Sequence, residues 1–542
     1  MGWCNAPRRR RRRRTSTDPV TPATSPLSTS GARVAAWPES PARVLGALAV
    51  WLLLTIWARP LHLPDEGRYA GVAWEMLSGD WLVPTLRGLP FFHKPPLTHW
   101  IGLAAMSLFG PEPWLLRLAP ALGAWLMGAA LWLALRRWRD ARSAGIALLV
   151  LATNPLYFVG AQFINHDMLV AGMVSVAALC WVRALEVPGR AALGWLTAGW
   201  AVCGLGFLSK GLIGAVLPLL IVGPWLLAQR RWRDTLRLAH PGALLVGAAV
   251  ALPWLLAMQQ RYPGFFDYFI VEQHFRRYSG GGFNNAQPFW FYLAVLPVLT
   301  LPWSLWLPAA LRRLRATQAA EAAPSAAPLA LPALAGLWLW WVAAVVLFFS
   351  MPQSKLVGYV LPALPAWSAL LAWGAAPGRR WRLAAGVGAM LCVGTIAALA
   401  WQAPKSNRDT ALAFKRLAQP TDLVVFVDQS FYDVPIYAAL ARPALVASDW
   451  DNRELLRADS WRKELADAAR FAPAQGRERL WPLARLRQLA CRGVPSWYFV
   501  DAGRGALLGE VPGATLAHRG AHSELWRAPA QACAAEPTRE PR

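Results

Sequence analysis

Apolar stretches long enough to cross a bilayer recur along this chain from Val44 to Trp401, separated by short segments in which charged residues cluster. A spanning helix needs about 20 predominantly apolar residues. By that measure spans are expected near 44–58, 113–135, 143–161, 166–185, 192–209, 211–228, 242–258, 288–308, 329–350, 356–375 and 382–402. The apolar piece 97–110 is short and reads as a re-entrant or interfacial helix. After about residue 403 the pattern changes. Thr421–Asp428 reads as a buried strand, Val434–Leu440 as helical, and Trp497–Asp501 as a second strand. Strands mixed with helices predict a small α/β or α+β domain.

Composition narrows the class. The 542 residues are 56% hydrophobic, include 32 Trp, and carry a net charge of +25. Such a charge alone would suit nucleic acid, but combined with so many spanning runs it points to membrane lipids and away from nucleic acid. The aromatic count fits interfacial belts as well as packing. Residues 1–42 stand apart, with an unbroken arginine run from Arg8 to Arg14 and a Ser/Thr/Pro-rich stretch up to Pro41. Such a segment cannot bury enough apolar surface to fold. It is expected to be a disordered cytoplasmic tail.

Charge then sets the topology. Basic clusters occur at Arg136/Arg137/Arg139/Arg142, Arg183/Arg190, Arg230/Arg231/Arg233/Arg237, Arg312/Arg313/Arg315 and Arg379/Arg380/Arg382. If 97–110 does not cross, all of them share the cytoplasmic side with the N-terminus, as the positive-inside rule requires. The domains expected are therefore the tail 1–42, a transmembrane part 43–402 with an outward loop 59–112, and an outward-facing soluble domain 403–542. The protein is expected to be a multi-pass membrane chain. The same assignment gathers Asp65, Glu66, Lys94, Asp167, Glu272, His274, Arg277 and Lys355 into one outward-facing compartment. Cys491 and Cys533 fall in the last domain, where a disulfide or two thiols are equally open. Cys180, Cys203 and Cys392 read as packing residues.

Several of these residues are competent for chemistry. Asp65 and Glu66 follow Pro64, which suits a helix N-terminus; they equally suit a general base or a carboxylate that orients an acceptor. Asp167 opens an apolar span, as a cap or as a second acid at the same interface. Lys94 precedes Pro95-Pro96, which hold the chain extended, and an ammonium on a stiff turn suits a phosphate. His274, Arg276 and Arg277 lie beside Gly280–Gly282, where lipid anchoring would account for the basic residues but not for Glu272 or the glycines. Lys210, Lys355 and Tyr359 sit at tight connections between spans. His93, Glu272 and His274 could ligate a divalent ion, although their spacing matches no metal signature. No other cofactor is indicated.

Taken in order, Asp65-Glu-Gly-Arg-Tyr69, Phe92-His-Lys-Pro-Pro96, Asn165-His-Asp167, Ser209-Lys-Gly211, His274-Phe-Arg-Arg277 and Lys355…Tyr359…Pro362 resemble a known pattern. It is that of the bacterial lipid A aminoarabinose transferases and the related protein O-mannosyltransferase-like GT-C glycosyltransferases. The resemblance covers roughly 45–400 and rests on order and spacing. It implies a bacterial inner membrane with the outward side periplasmic, and a GT-C fold with about 11–13 transmembrane helices and a small periplasmic α/β domain. It also implies a polyprenyl-phosphate sugar donor, inversion at the anomeric carbon, and an acceptor such as lipid A or another envelope molecule. By position, Asp65 and Asp167 would be the catalytic carboxylates, and Lys94 and Arg277 would hold the donor phosphate. Glu66, Arg68, Tyr69, His93, Lys210, Glu272, His274, Lys355 and Tyr359 would line the cavity. Two positions depart from the aminoarabinose pattern. His93 stands where many members carry Glu, and Gln273 stands where they carry the Glu that precedes the loop histidine. A lipid or solute transporter would instead place charges at mid-membrane, often with internal repeats, and neither is visible.

Overall fold

The computed structural model describes residues 1–2, 40–276, 285–320, 331–374, 378–402, 406–452, 454 and 459–531. Most of the expected tail, Arg277 and Cys533 lie outside them. From the N-terminal side come α1 (Pro41–Leu53), α2 (Asp65–Ser78), α3 (Leu97–Phe109), α4 (Leu118–Trp138), α5 (Ala141–Ala152), α6 (Pro155–Gly160), α7 (Asp167–Ala184), α8 (Gly189–Lys210) and α9 (Ile213–Ala228). Among the described residues six helices are long and apolar enough to cross a membrane: Pro113–Trp138, Asp167–Ala184, Gly189–Lys210, Trp232–Arg261, Pro332–Ser350 and Arg379–Gln402. A seventh is formed if Phe291–Leu299 and Trp303–Ala316, which meet at 102°, count as one span. Five shorter apolar helices, α1, α3, α5, α9 and Val357–Trp373, accompany them.

Not every expected span is one straight helix, and the breaks have local causes. The stretch 143–161 divides into α5 and α6 at Asn154, whose side chain accepts from Leu156 N–H at 3.0 Å while Pro155 opens the next helix. Asn at the cap and Pro at the first position form a helix-start signal inside an apolar run. In 288–308 the chain bends around Pro297 and Pro302. The stretch 356–375 begins as a 3₁₀ turn, Val357–Ala363, before the helix Leu364–Trp373. Close packing relies on small residues: Gly123 of α4 and Gly172 of α7 face each other so tightly that a Cβ on either would strike the opposite backbone. That is how membrane helices approach in the absence of a hydrophobic driving force.

Within loop 59–112, strands β1 (Thr85–Leu86) and β2 (Leu89–Pro90) pair antiparallel across Arg87 and Gly88, which have φ of 60° and 70°. Two left-handed residues make the turn that matches the twist of a two-residue hairpin. The Glu75 carboxylate accepts from both N–H groups of that turn, at 2.6 and 2.9 Å.

The C-terminal region holds β3 (Leu423–Val427), β4 (Leu445–Ser448), β5 (Leu480–Pro482), β6 (Ser496–Asp501), β7 (Thr515–Arg519) and β8 (Ser523–Ala528) in the order β5-β4-β3-β6-β8-β7. The first four are parallel, and β8 and β7 add antiparallel. Val424 and Phe426 pack into one hydrophobic cluster, Val425 and Val427 into another. A parallel strand covered on both faces must be apolar on both, which is why 423–427 reads as a continuous apolar run. The α/β expectation is borne out. This domain is seated on the loop helices: Tyr432 and Ile436 share a core with Tyr69, Val72 and Met76 of α2, and Arg87 stacks 4.6 Å from the Phe426 ring.

Candidate active site

Helix α2 begins at Asp65, so both carboxylates of the Asp65-Glu66 pair occupy its first turn, where the helix dipole favours them. Adjacent positions on a helix point about 100° apart, and here the two side chains part completely. Glu66 turns inward and is fully buried. Its oxygens accept from Arg59 Nη2 at 2.9 Å, Arg117 Nε at 3.1 Å, His62 N–H at 2.7 Å and Ile164 N–H at 3.0 Å, with Arg59 Nη1 also bound. Burial alone would raise its pKa, but the Arg117 and Arg59 guanidiniums outweigh it and hold the carboxyl at about 2. Glu66 is thus a structural anchor, and the expectation that it lines the substrate cavity is corrected.

Asp65 turns outward, with a side chain 57% exposed. It lines a cavity of about 780 Å³ between the membrane part and the C-terminal domain. The membrane part supplies Asp65, Arg68, Tyr69, His93, Lys94, Asn165, His166, Asp167, Lys210 and Tyr359. The loop after β3 supplies Gln429, Ser430 and Tyr432, the end of β6 supplies Asp501, and the helix Trp461–Phe471 supplies Trp461 and Glu464. The carboxyl ends of parallel strands are the usual place for a ligand in an open α/β sheet.

Two ion-pair systems organise the walls. Arg68 donates from Nη2 to Asp65 at 2.6 Å and from Nη1 to Glu464 at 3.1 Å, so one guanidinium ties the loop helix to the C-terminal domain. Glu464 is buried; desolvation pushes its carboxyl up and Arg68 offsets this only in part. Its second oxygen has no hydrogen-bond partner among the described residues. Across the cavity Asp167, at the start of α7, pairs with Lys210 at the end of α8. Lys210 Nζ lies 4.3 Å from the centre of the Tyr359 ring. Gly358 makes room for this pair, since a Cβ there would stand 2.6 Å from Asp167 Oδ2.

A second, apolar cavity of about 330 Å³ adjoins the first and is lined by Ile213, Val216, Phe269, Phe275, Phe348 and Phe349. His93, Lys94, Lys210 and Tyr359 border both spaces. His274 is on the apolar side, with Nδ1 2.6 Å from the Phe269 carbonyl and its ring against Gly211, whose φ of +77° and missing Cβ make that contact.

Other expected positions lie elsewhere. Lys355 is 4% exposed and donates to the carbonyls of Gln287, at 2.9 Å, and Pro352; it ties two loops together and is absent from the walls of both cavities, a correction to its expected place. Glu272 reaches Lys463 of the C-terminal domain at 3.8 Å and borders neither space. His93 Nε2 stands 3.2 Å from the Tyr268 hydroxyl. Among the described residues no group of three His, Cys, Asp or Glu side chains converges, so His93, Glu272 and His274 do not form a donor set that fits a metal. Cys491 is in a disulfide, while Cys180, Cys203 and Cys392 are buried and free.

His166 had no role from sequence. It is 2% exposed, and neither ring nitrogen has a hydrogen-bond partner among the described residues. Its ring stands edge-on to Tyr69 at 4.6 Å.

Residues 63–269 match the family described as dolichyl-phosphate-mannose-protein mannosyltransferase. The undecaprenyl phosphate-alpha-4-amino-4-deoxy-L-arabinose arabinosyl transferase 2 of Sodalis glossinidius is 35% identical over 334 residues, 60% of this chain and 58% of that protein. The corresponding transferase of Pseudomonas aeruginosa strain UCBPP-PA14 is 35% identical over 327 residues, 59% of this chain and 57% of its own length. The chain thus matches less than two thirds of the length of these curated relatives. In three dimensions it is similar to the crystal structure of ArnT from Cupriavidus metallidurans bound to undecaprenyl phosphate, with a TM-score of 0.76, 24% identity, and coverage of 91% of this chain and 99% of that one. The apo structure of the same transferase gives a TM-score of 0.73 at 24% identity, covering 92% and 100%. This is a multi-pass membrane protein with the GT-C fold expected from its motifs, a helical membrane part beneath a small α/β domain.

Proposed function

We propose that the protein is an inverting glycosyltransferase that moves one sugar from undecaprenyl phosphate to an acceptor on the periplasmic side of the inner membrane, most simply a phosphate of lipid A. The observation that carries this reading is the meeting of the two cavities. An apolar space suited to a prenyl chain opens into a polar chamber suited to a sugar, and cationic side chains, Lys94 and Lys210, stand at the junction where a phosphate would lie. The names of the relatives supply the same donor and an amino-arabinose as the sugar.

In this mechanism an acceptor oxygen attacks the anomeric carbon from the face opposite the donor phosphate. The carbon–oxygen bond to that phosphate breaks, and its electron pair stays on the phosphate oxygen. Lys94 stabilises the charge that develops there, the kind of preorganised electrostatic contribution that dominates many such barriers. Lys210, which pairs with Asp167, adds its charge at the same junction. Arg277, outside the described residues, is proposed as a further phosphate ligand on the resemblance alone. A lipid A phosphate is ionised before it reacts, so Asp65, held by Arg68, orients the acceptor. A Ser or Thr hydroxyl would need Asp65 as general base.

The test is mass spectrometry of lipid A from cells lacking the gene, complemented with the wild type or with Asp65→Asn. Loss of a sugar-sized mass on deletion, restored by the wild type alone, is the expected outcome. Unchanged lipid A would overturn the acceptor and direct attention to glycoproteins or other envelope glycans.

A further inference from the structure

A cavity of about 430 Å³ lies among α4, α5 and the helices Leu307–Ala320 and Leu364–Trp373. It is far from the transfer chamber. Helix α4 starts beside Arg117, which pairs with Glu66, and runs for 21 residues. At 1.5 Å per residue it is about 30 Å long, the thickness of a hydrocarbon core. The cavity at its far end is therefore at the opposite membrane boundary.

Its walls hold three arginines, Arg139, Arg142 and Arg313, against one acid, Asp140. Asp140 is already engaged as the cap of α5, accepting from Ser143 N–H at 2.7 Å and from the Ser143 hydroxyl at 2.9 Å. Arg139 is half-buried, and its guanidinium lies 4.0 Å over the ring of Trp373. Its side chain makes no hydrogen bond or ion pair within the described residues. The remaining wall is apolar, with Leu135 and Ile146 among its residues. Arginines that only orient the chain in the membrane can sit anywhere on these connections. They need not be stacked on an indole, half-withdrawn from water, and gathered around one hollow.

We infer that this cavity binds the headgroup phosphate of an anionic phospholipid. The stacked guanidinium of Arg139 presents its fork of donors in a fixed plane, which matches phosphate oxygens. Arg142 and Arg313 add charge at the mouth, and the apolar wall accommodates the start of an acyl chain. A basic hollow between spanning helices at the positively charged side of a membrane is where such headgroups bind. The inference is independent of the transfer reaction.

Delipidated full-length protein in detergent, titrated with cardiolipin, phosphatidylglycerol or phosphatidylcholine and read by native mass spectrometry, tests it. Retention of the two anionic lipids and not of phosphatidylcholine is expected. Arg142→Gln, at an exposed position, and Arg139→Gln should each weaken retention about fivefold, and the pair more. Equal retention of phosphatidylcholine, or an unchanged titration in the double variant, would overturn the inference. Inorganic phosphate that displaces the lipid at equal concentration would reassign the cavity to free phosphate and likewise overturn it.

Discussion

Asp65 and Glu66 are neighbours in sequence and opposites in fate. Glu66 is sealed in a knot with Arg59 and Arg117, where both of its oxygens are satisfied by guanidiniums and backbone N–H groups. Asp65 and Asp167 face a chamber, each with one cationic partner among the described residues. A charge whose every lone pair is occupied has no capacity left for a substrate. A charge with one partner and open space has capacity for both orientation and exchange. Position separates Lys355, which donates to two carbonyls away from both cavities, from Lys94, which lines both.

The contrast can be broken most sharply at the knot. Glu66→Ala should cost about 3–5 kcal/mol of stability, because it strands two buried guanidiniums, and thermal unfolding in detergent would register it. Acid probes the same site. The Glu66 pKa, about 2 in the fold, lies below the ordinary value of 4.5, so its contribution to stability is full above pH 4.5 and is lost as pH falls toward 2. In Glu66→Ala that part of the acid sensitivity should vanish. Lys94→Ala should do the reverse, leaving the melting temperature near wild type and lowering kcat for sugar transfer about 10²–10³-fold. A fall in stability of several kcal/mol with little change in kcat would move Lys94 into the structural class.

Smaller effects sharpen the line between the two classes. Lys355→Met should cost about 1–3 kcal/mol by leaving the buried Pro352 carbonyl unpaired, with kcat per folded molecule preserved. Glu464→Gln weakens the hold on Arg68 and should lower kcat several-fold by loosening Asp65, while the conservative Glu464→Asp recovers part of it. A change in stability alone, with kcat intact in both variants, would make Glu464 a mere contact between domains.

Much of the chamber was legible in the sequence. The order of short motifs picked out Asp65, Arg68, Tyr69, His93, Lys94, Asp167, Lys210 and Tyr359, all of which line it. The spans were legible in position but not in continuity, because a hydropathy run passes over Asn154-Pro155 and Pro302 without registering the break. Glu66 and Lys355 could not be assigned from the chain alone. Their partners, Arg59 and Arg117 for one and the carbonyls of Gln287 and Pro352 for the other, become neighbours only on folding. Glu464 was invisible for a different reason: in Trp461–Phe471 it looks like any charge on an amphipathic helix. His166 lies inside a quoted motif, yet nothing local shows that both its nitrogens are left without partners.

The chamber takes one wall from the C-terminal domain, whose first helix is Arg408–Leu417 and whose strands follow from Leu423. Domains are completed from the N-terminus during synthesis, so the spanning helices can be in place while that wall does not yet exist. Until it folds, Arg68 lacks Glu464 and the polar chamber stands open to water. The chamber is thus closed only after the spanning helices are in place, and the C-terminal domain works like the keystone of its vault.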